Sequence, residues 1–408
     1  MREFYAYDGF CLCPLNGTLP DGAQGAASPF APLVFLIDRD PHTARGFFAI
    51  SSLDELEEAE GPSLLLPVKA RETGALADFV KENGAAVLNT AFSRAFCVLR
   101  DFHARKKRPL RLTLVGLGDV GGTLLTGLKL LGEGIGEIGI YDPNQAQCAR
   151  YEMELNQVLP VGSAPLAPIV LREEGALFDC DALLFTASRG VPGLDSQVQD
   201  VRMAQYEANK AMLAIYARKA REAGFTGLFC QISDPVDHLA RAVFLESNTL
   251  DGTFDGGGLL PEQVQGYGLG VMRARARYYA ERMGIDASRL CAFGPHGEGL
   301  IVANAPDEEY DDALSQALTQ DARTANLKVR ALGFKPYIAP GLSSACVSVL
   351  RTLRGEWHDG AAPLGGAYFG CQTRFTKNGP AQLRMPLCAP LYERICATYS
   401  ALKEFDYA

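Results

Sequence analysis

The sequence predicts an α/β protein: a doubly wound parallel sheet, followed by a mixed α+β domain and preceded by a small α/β accessory domain. Strand-like apolar runs alternate with helical spacing from residue 110 onward, which is the pattern of a parallel sheet covered by helices. One strand-to-helix turn there is rich in glycine, and the next strand ends in an acid. We therefore divide the 408 residues into domains at 1–108, 109–247 and 248–408.

The first 108 residues carry no chemical motif. Apolar runs at 32–37 and 63–68 predict strands, and apolar residues three and four apart predict helices at 74–82 and 85–103. A short basic run at 105–108 marks the predicted boundary with the second domain.

Composition excludes several classes of protein. The net charge of −9 argues against a general nucleic-acid binder, which needs clustered cations. No apolar stretch approaches the ~20 residues that span a bilayer. Eleven scattered cysteines, mostly in apolar runs, predict reduced thiols in a cytoplasmic protein. The close pair Cys11 and Cys13 has no second pair to complete a metal site, so we predict no metal.

The glycine-rich turn has the spacing of a dinucleotide-binding loop. A strand at 110–115 runs directly into Gly116, Gly118 and Gly121, and helical spacing follows. The first glycine permits a tight turn, the second lets a pyrophosphate approach the backbone, and the third lets the helix pack against the strand. The free N–H groups of the helix start would bind the phosphates.

The strand at 137–142 completes this fingerprint. It ends in Asp142, 21 positions after Gly121, where a carboxylate would accept hydrogen bonds from the ribose hydroxyls and repel a 2′-phosphate. The loop and strand predict a Rossmann domain that binds NAD rather than NADP; the alternative is a glycine-rich turn without a ligand. The candidate cofactor-binding residues here are Gly116, Gly118, Asp119, Val120, Gly121 and Asp142.

Five further motifs follow in order, and with the fingerprint they resemble the lactate/malate dehydrogenase superfamily over residues 109–404. They are Thr186-Ala187-Ser188, similar to T-A-G; Arg202, seven residues before Asn209; Ser233-Asp234-Pro235-Val236-Asp237, similar to S-N-P-V-D; Leu269 to Arg275, similar to L-D-x-x-R-x-R; and Gly294-Pro295-His296-Gly297-Glu298, similar to G-x-H-G-D. The resemblance implies hydride transfer between NAD and a small 2-hydroxy or 2-oxo acid. It also implies a homodimer or homotetramer.

The resemblance assigns a role to each matched residue. His296 would be the base that takes the hydroxyl proton, and Arg202 would polarise the carbonyl. Arg273 would hold the substrate carboxylate, together with Asn209. Thr186, Ala187 and Ser188 would lie at the cofactor, and the residue that selects the substrate side chain falls near 189–190.

Two departures from the superfamily pattern leave the activity open. The acid that would orient His296 is replaced by Gly270, in a motif two residues short after Gly266, and the substrate-facing Asn is replaced by Asp234. In one interpretation Asp234 or Glu298 supplies the missing carboxylate and the protein is an active enzyme.

In the other interpretation the protein is a catalytically degenerate, NAD-binding sensor or scaffold. A third reaction on this fold, the metal-dependent and NAD-assisted glycoside chemistry of a related family, is disfavoured because no cysteine lies beside Pro235. Asp237 is interpreted as a structural cap of a helix at 237–244.

Overall fold

The computed structural model describes residues 2–105, 108–189 and 205–407, and its first unit is built on a six-stranded sheet. The strand order is β3-β1-β2-β4-β6-β5. The elements of this unit are β1 (Phe4–Tyr7), β2 (Phe10–Pro14), β3 (Gln24–Ala26), β4 (Leu33–Ile37), β5 (Phe47–Ile50), α1 (Ala75–Asn83), β6 (Ala85–Asn89) and α2 (Ala95–Arg105).

Two of the four elements predicted for this unit are confirmed, and two are wrong. The strand at 32–37 is β4 and the helix at 74–82 is α1. The run at 63–68 instead forms a 3-10 turn, Pro62–Leu65, whose Leu64 and Leu65 are buried. The helix at 85–103 divides into β6 and α2, because the apolar run that opens it is buried on both faces of the sheet. Apolar runs of that length fit a buried strand as well as a helix.

The second sheet has nine strands in the order β19-β18-β17-β14-β11-β10-β7-β8-β9. Its strands are β7 (Leu110–Val115), β8 (Ile135–Tyr141), β9 (Ile169–Leu171), β10 (Ala182–Phe185), β11 (Leu228–Gln231), β14 (Val264–Gly266), β17 (His358–Leu364), β18 (Ala367–Thr376) and β19 (Gly379–Gln382). The six from β14 to β9 are parallel, and β17 to β19 extend the sheet antiparallel. The predicted doubly wound parallel sheet is confirmed.

Helices and two short hairpins complete the second unit. The helices are α3 (Asp119–Leu131), α4 (Gln145–Asn156), α5 (Tyr206–Glu222), α6 (Val236–Ser247), α7 (Leu269–Arg282), α8 (Asp312–Ala331), α9 (Ser348–Arg354) and α10 (Ala389–Lys403). The hairpins are β12 (Thr249–Leu250) with β13 (Thr253–Phe254), and β15 (Cys291–Phe293) with β16 (Ile301–Ala303). No helix in the described ranges has the length and apolarity to cross a membrane.

The chain order of the parallel strands creates a switch point between β7 and β10. From β7 the chain moves outward through β8 and β9, and it then returns to β10 and continues on the other side. Loops at the carboxyl ends of β7 and β10 therefore separate and leave a crevice, which is where ligands bind in open parallel sheets.

The first unit packs against the second through a shared core and a buried carboxylate. Phe92 of the first unit lies edge-on to Phe244 of α6, with ring centroids 6.3 Å apart. Glu262, just before β14, accepts hydrogen bonds from the N–H groups of Gly46 and Phe47 at 3.1 and 3.0 Å. Burial raises the pKa of Glu262 to about 8. The predicted domain boundaries stay a prediction, and the nine-stranded sheet takes strands from both sides of residue 248.

Glu262 should make the stability of the protein fall as the pH rises. Because its pKa is raised by folding, the folded protein keeps a proton that the unfolded chain releases, so stability decreases from the ordinary carboxyl range up to about pH 8. In Glu262→Gln, the free energy of unfolding from urea titrations should vary less between about pH 5 and 8. The exposed Glu308→Gln is the control and should keep the wild-type slope. Equal slopes in Glu262→Gln and the wild type would contradict this.

Candidate active site

The glycine-rich turn at the end of β7 is closed on two sides and open on the third. A Cβ on Gly116 (φ +94°) would lie 2.6 Å from the Ala187 nitrogen, and one on Gly121 would lie 2.7 Å from the Thr186 hydroxyl oxygen. A Cβ on Gly118 would meet nothing within 4 Å. The loop thus packs on its neighbours at Gly116 and Gly121. At Gly118 it is open and has room for a pyrophosphate at the start of α3. The residues present therefore fit a dinucleotide.

Asp142 lies beside this turn. One carboxylate oxygen accepts a hydrogen bond from the Leu117 N–H and the other accepts one from the Asn144 N–H, both at 2.8 Å. These contacts fix the carboxylate at the carboxyl end of β8, next to the glycine loop. Each oxygen keeps a second lone pair that could accept a ribose hydroxyl.

The end of β10 connects the turn to the next strand. The Thr186 hydroxyl donates to the Gly116 carbonyl at 2.6 Å, and the Ser233 hydroxyl donates to the Ala187 carbonyl at 2.6 Å. The Ser188 hydroxyl lies 3.3 Å from the Asn209 amide nitrogen. The Thr186-Ala187-Ser188 motif thus lies between the glycine loop and the motif that follows β11.

Asn209 is fully buried and its amide is used within the protein. Its nitrogen donates to the Asp234 carbonyl at 2.8 Å, and its oxygen accepts from the Arg189 N–H at 2.7 Å. Asn209 thus fixes the main chain at Asp234, and its contact with a substrate stays a prediction.

Asp234 and His296 form the centre of the site. The Asp234 carboxylate lies 3.4 Å from Nδ1 of the buried His296 ring. The His296 main-chain N–H donates to the Asp237 carboxylate at 3.0 Å. Burial raises the pKa of Asp237 to about 7. The predicted cap is therefore wrong. Asp237 lies inside the first turn of α6, and its carboxylate holds the backbone of the histidine turn.

Glu298, the other candidate for the missing carboxylate, is directed away from His296. Its carboxylate pairs with Arg323 on α8, and its side chain is largely exposed. Of the two acids weighed from the sequence, the one that lies beside the imidazole is Asp234.

Arg273 lines a cavity that His296 does not line. Its Nε donates to the Leu290 carbonyl at 3.1 Å, and Nη1 lies 3.4 Å from the Asp359 carboxylate. With Gly270 it lines a cavity of about 670 Å³, and His296 is not among the lining residues. The predicted contact between Arg273 and a substrate at His296 is therefore not supported. The predicted residues Arg202 and Gly190 lie outside the described residues.

Comparison with known proteins gives distant relatives that are L-lactate dehydrogenases. No protein-family profile matches the sequence. The L-lactate dehydrogenase 2 of Bacillus cereus is 28% identical over 198 residues, which is 47% of this chain and 57% of that protein. The L-lactate dehydrogenase of Treponema denticola is 29% identical over 201 residues, 48% of this chain and 58% of that protein. The chain thus spans little more than half the length of these relatives.

Solved structures resemble a larger part of the chain. A lactate dehydrogenase from a Medee basin deep-sea metagenome library has a TM-score of 0.58 at 18% identity, over 73% of this chain and 98% of that one. Malate dehydrogenase from Archaeoglobus fulgidus, in complex with NADH, has a TM-score of 0.58 at 18% identity, over 72% of this chain and 98% of that one. The chain thus has the fold of lactate and malate dehydrogenases over 73% of its length, and its sequence is distantly similar to L-lactate dehydrogenases.

The superfamily motif on α7 fits this chain better two residues later. If Arg275 and Arg277 are the two arginines of R-x-R, the spacing from Gly266 to the motif is no longer two residues short. Met272 then stands at the position of the superfamily's acid. Sequence alone does not distinguish the two registers, because R-x-R also matches residues 273 and 275. The orienting acid is absent in both registers.

The structure favours the later register. A Cβ on Gly268 would lie 2.7 Å from Nδ1 of His296, whereas one on Gly270 would face Ser343 and Ser348. Residues 268, 272 and 275 share a helix face, since four and seven residues are close to whole turns. Arg275 contacts the Ala322 carbonyl of α8 at 3.5 Å. Arg323, the residue after Ala322, pairs with Glu298, which lies two positions after His296 in the chain. Arg275 is therefore a second candidate, beside Arg273, for the substrate-binding cation.

Gly268→Ala should displace the His296 ring. The added methyl would lie 2.6 Å from the histidine Cβ, so the ring must move, and we expect unfolding to become easier by about 1–3 kcal/mol. The measurement is the imidazole NMR resonances of His296 together with denaturant unfolding. Gly25→Ala, where a Cβ would meet nothing within 4 Å, is the matched control. Unchanged His296 resonances in Gly268→Ala would contradict the placement of the ring.

Proposed function

We propose that this protein is an NAD-dependent oxidoreductase that transfers a hydride between nicotinamide and C2 of a small 2-hydroxy or 2-oxo acid. The observation that carries the proposal is the Asp234 carboxylate at 3.4 Å from Nδ1 of His296. It supplies from the end of β11 the acid that α7 lacks. An acid beside a catalytic histidine fixes the tautomer of the ring and stabilises its protonated form.

In this proposal His296 exchanges the proton of the substrate hydroxyl. A carboxylate at Nδ1 favours the tautomer with the proton on that nitrogen, which leaves the Nε2 lone pair to accept the hydroxyl proton. When the ring becomes positive, Asp234 stabilises it. Asp237 holds the main chain of the same turn, so that the ring is fixed at two points.

The bound NAD would accept or donate the hydride, and the loop at the end of β7 would hold it. The open side of Gly118 admits the pyrophosphate, and Asp142 binds the ribose and disfavours a 2′-phosphate. Thr186, Ala187 and Ser188 border the route from the glycine loop to His296.

Arg275 would hold the substrate carboxylate: it lies two helical turns after Gly268, whose Cβ position meets His296, and its guanidinium contacts the Ala322 carbonyl of α8. A guanidinium binds a carboxylate through two parallel hydrogen bonds. Arg202 stays the predicted residue that polarises the substrate carbonyl. A homodimer or homotetramer also stays a prediction.

The deciding experiment is NADH oxidation with a panel of 2-oxo acids that includes oxaloacetate, pyruvate, longer-chain and amino-bearing acids. NADH binding is measured by fluorescence in the same samples. Turnover with one of these acids that is lost in His296→Gln would support the enzyme. NADH binding without turnover on any acid would favour a non-catalytic sensor or scaffold, which the absence of an acid at both Gly270 and Met272 of α7 would fit. Absence of NADH binding would overturn the cofactor.

Asp234→Asn should lower kcat by about 10³–10⁴-fold, the cost of losing the orienting carboxylate of a catalytic histidine. The NADH dissociation constant should stay the same, because the glycine loop is untouched. Asp237→Asn is the comparison, since this acid touches the main chain and not the ring. A kcat for Asp234→Asn within about threefold of the wild type would contradict the assignment.

Arg275→Met and Arg273→Met separate the two registers of α7. We expect kcat/KM to fall by about 100-fold in Arg275→Met, as when one partner of a charged pair is removed. Arg273→Met should change kcat/KM little, because its guanidinium lies in the other cavity with Asp359. The opposite ranking would return the substrate contact to Arg273.

Gly118→Ala should block the dinucleotide without harming the fold. Gly118 has φ −69°, which alanine adopts without strain, and its Cβ position is open. The free energy of unfolding should therefore stay within about 0.5 kcal/mol of the wild type, while the NADH dissociation constant rises at least about tenfold. Gly175→Ala, also open, should alter neither quantity. NADH binding at wild-type strength in Gly118→Ala would place the dinucleotide elsewhere.

A further inference from the structure

A segment that follows α8 lies against the first turn of α3; we name residues 333–341 the strap. The ammonium of Lys335 lies 3.1 Å from the Asp119 carboxylate, the first residue of α3. At the other end of the strap, a Cβ on Gly341 would lie 2.7 Å from the Thr123 Cβ and 3.3 Å from the Val120 carbonyl. The strap is therefore anchored beside the open side of the glycine loop.

Asp119 places a negative charge in the first turn of α3, beside the glycine loop. A carboxylate in the first turn of a helix is stabilised by the helix dipole, but phosphates bind to the same N-terminus for the same reason. Two negative groups a few ångströms apart repel each other. A dinucleotide can therefore bind here with full affinity only if another group offsets the charge of Asp119.

Lys335 is the cation in position to do so. We propose that Lys335 is a pyrophosphate-binding residue: its ammonium offsets the charge of Asp119 and pairs with the pyrophosphate when the dinucleotide binds. This inference rests on the proposed function, since it concerns the same cofactor site.

The exposure and chemistry of the pair fit this role. The Lys335 and Asp119 side chains are 67% and 47% exposed, so neither is locked in a core. An ammonium has three donors and a flexible stem, and it can keep one hydrogen bond to Asp119 while it gives another to a phosphate oxygen.

The test compares three ligands of the full-length protein. NADH is titrated by its fluorescence, and ADP-ribose and adenosine by competition against NADH. ADP-ribose retains the pyrophosphate, whereas adenosine has no phosphate. The variants are Lys335→Met and Asp119→Asn. The control is Lys328→Met, which removes a similar exposed lysine, 2.8 Å from Asp321 on α8.

Lys335→Met should weaken the binding of NADH and ADP-ribose by about fivefold and leave adenosine unchanged, as expected for an exposed charge pair. Its ADP-ribose affinity should also depend less on salt. Asp119→Asn should strengthen ADP-ribose binding by about twofold, because the repulsive charge is removed while the lysine stays. Lys328→Met should match the wild type for all three ligands.

Each other result overturns a stated part. If Lys335→Met binds ADP-ribose as tightly as the wild type, the role of Lys335 is overturned. The same holds if Lys335→Met loses as much affinity for adenosine as for ADP-ribose. Both results leave the proposed function intact. Weaker ADP-ribose binding in Asp119→Asn overturns the repulsion. Absence of NADH and ADP-ribose binding to the wild type overturns the proposed cofactor and this inference with it.

Discussion

The parallel pairing of β7 with β10 is the contact on which the rest of the site depends. Leu112 pairs with Ala182 and Val115 with Phe185, so the two strands end side by side. Because β11 and β14 continue the parallel ladder, their carboxyl ends reach the same edge of the sheet. Main-chain hydrogen bonds, rather than particular side chains, therefore gather four loops at one place.

In the proposed enzyme, this constraint accounts for an acid that comes from a different loop. The missing acid belongs to the helix after β14, and Asp234 belongs to the loop after β11, the neighbouring strand. Both loops end at the same edge, so a carboxylate moved from one to the other still reaches His296. Asn209 fixes the main chain at Asp234, which keeps the relocated carboxylate in place.

The sequence predicted the parallel sheet and the glycine-rich turn because both depend on local patterns. Glycines that permit close packing and a strand that ends in an acid are readable from spacing alone. Contacts between residues of different loops could not be predicted in this way. Nothing local distinguishes Arg273 from Arg275, since only the side of α7 that meets His296 decides between them. Asp237 likewise resembles a helix cap until its partner, 59 residues away, is known.

The strand-or-helix errors in the first unit have a related cause. The run that forms β6 is buried on both faces, so it lacks the alternation that marks a half-exposed strand. The turn at Pro62–Leu65 buries two leucines within four residues, which leaves a continuous apolar run and no period to read.

The covering of α6 and β14 by the first unit limits how copies of this protein can assemble. Phe92 packs on Phe244 of α6, and Glu262 binds the main chain at Gly46 and Phe47. A surface that each copy closes with its own amino-terminal residues is not available to a second copy. Any symmetric assembly must then be built on other faces of the second unit.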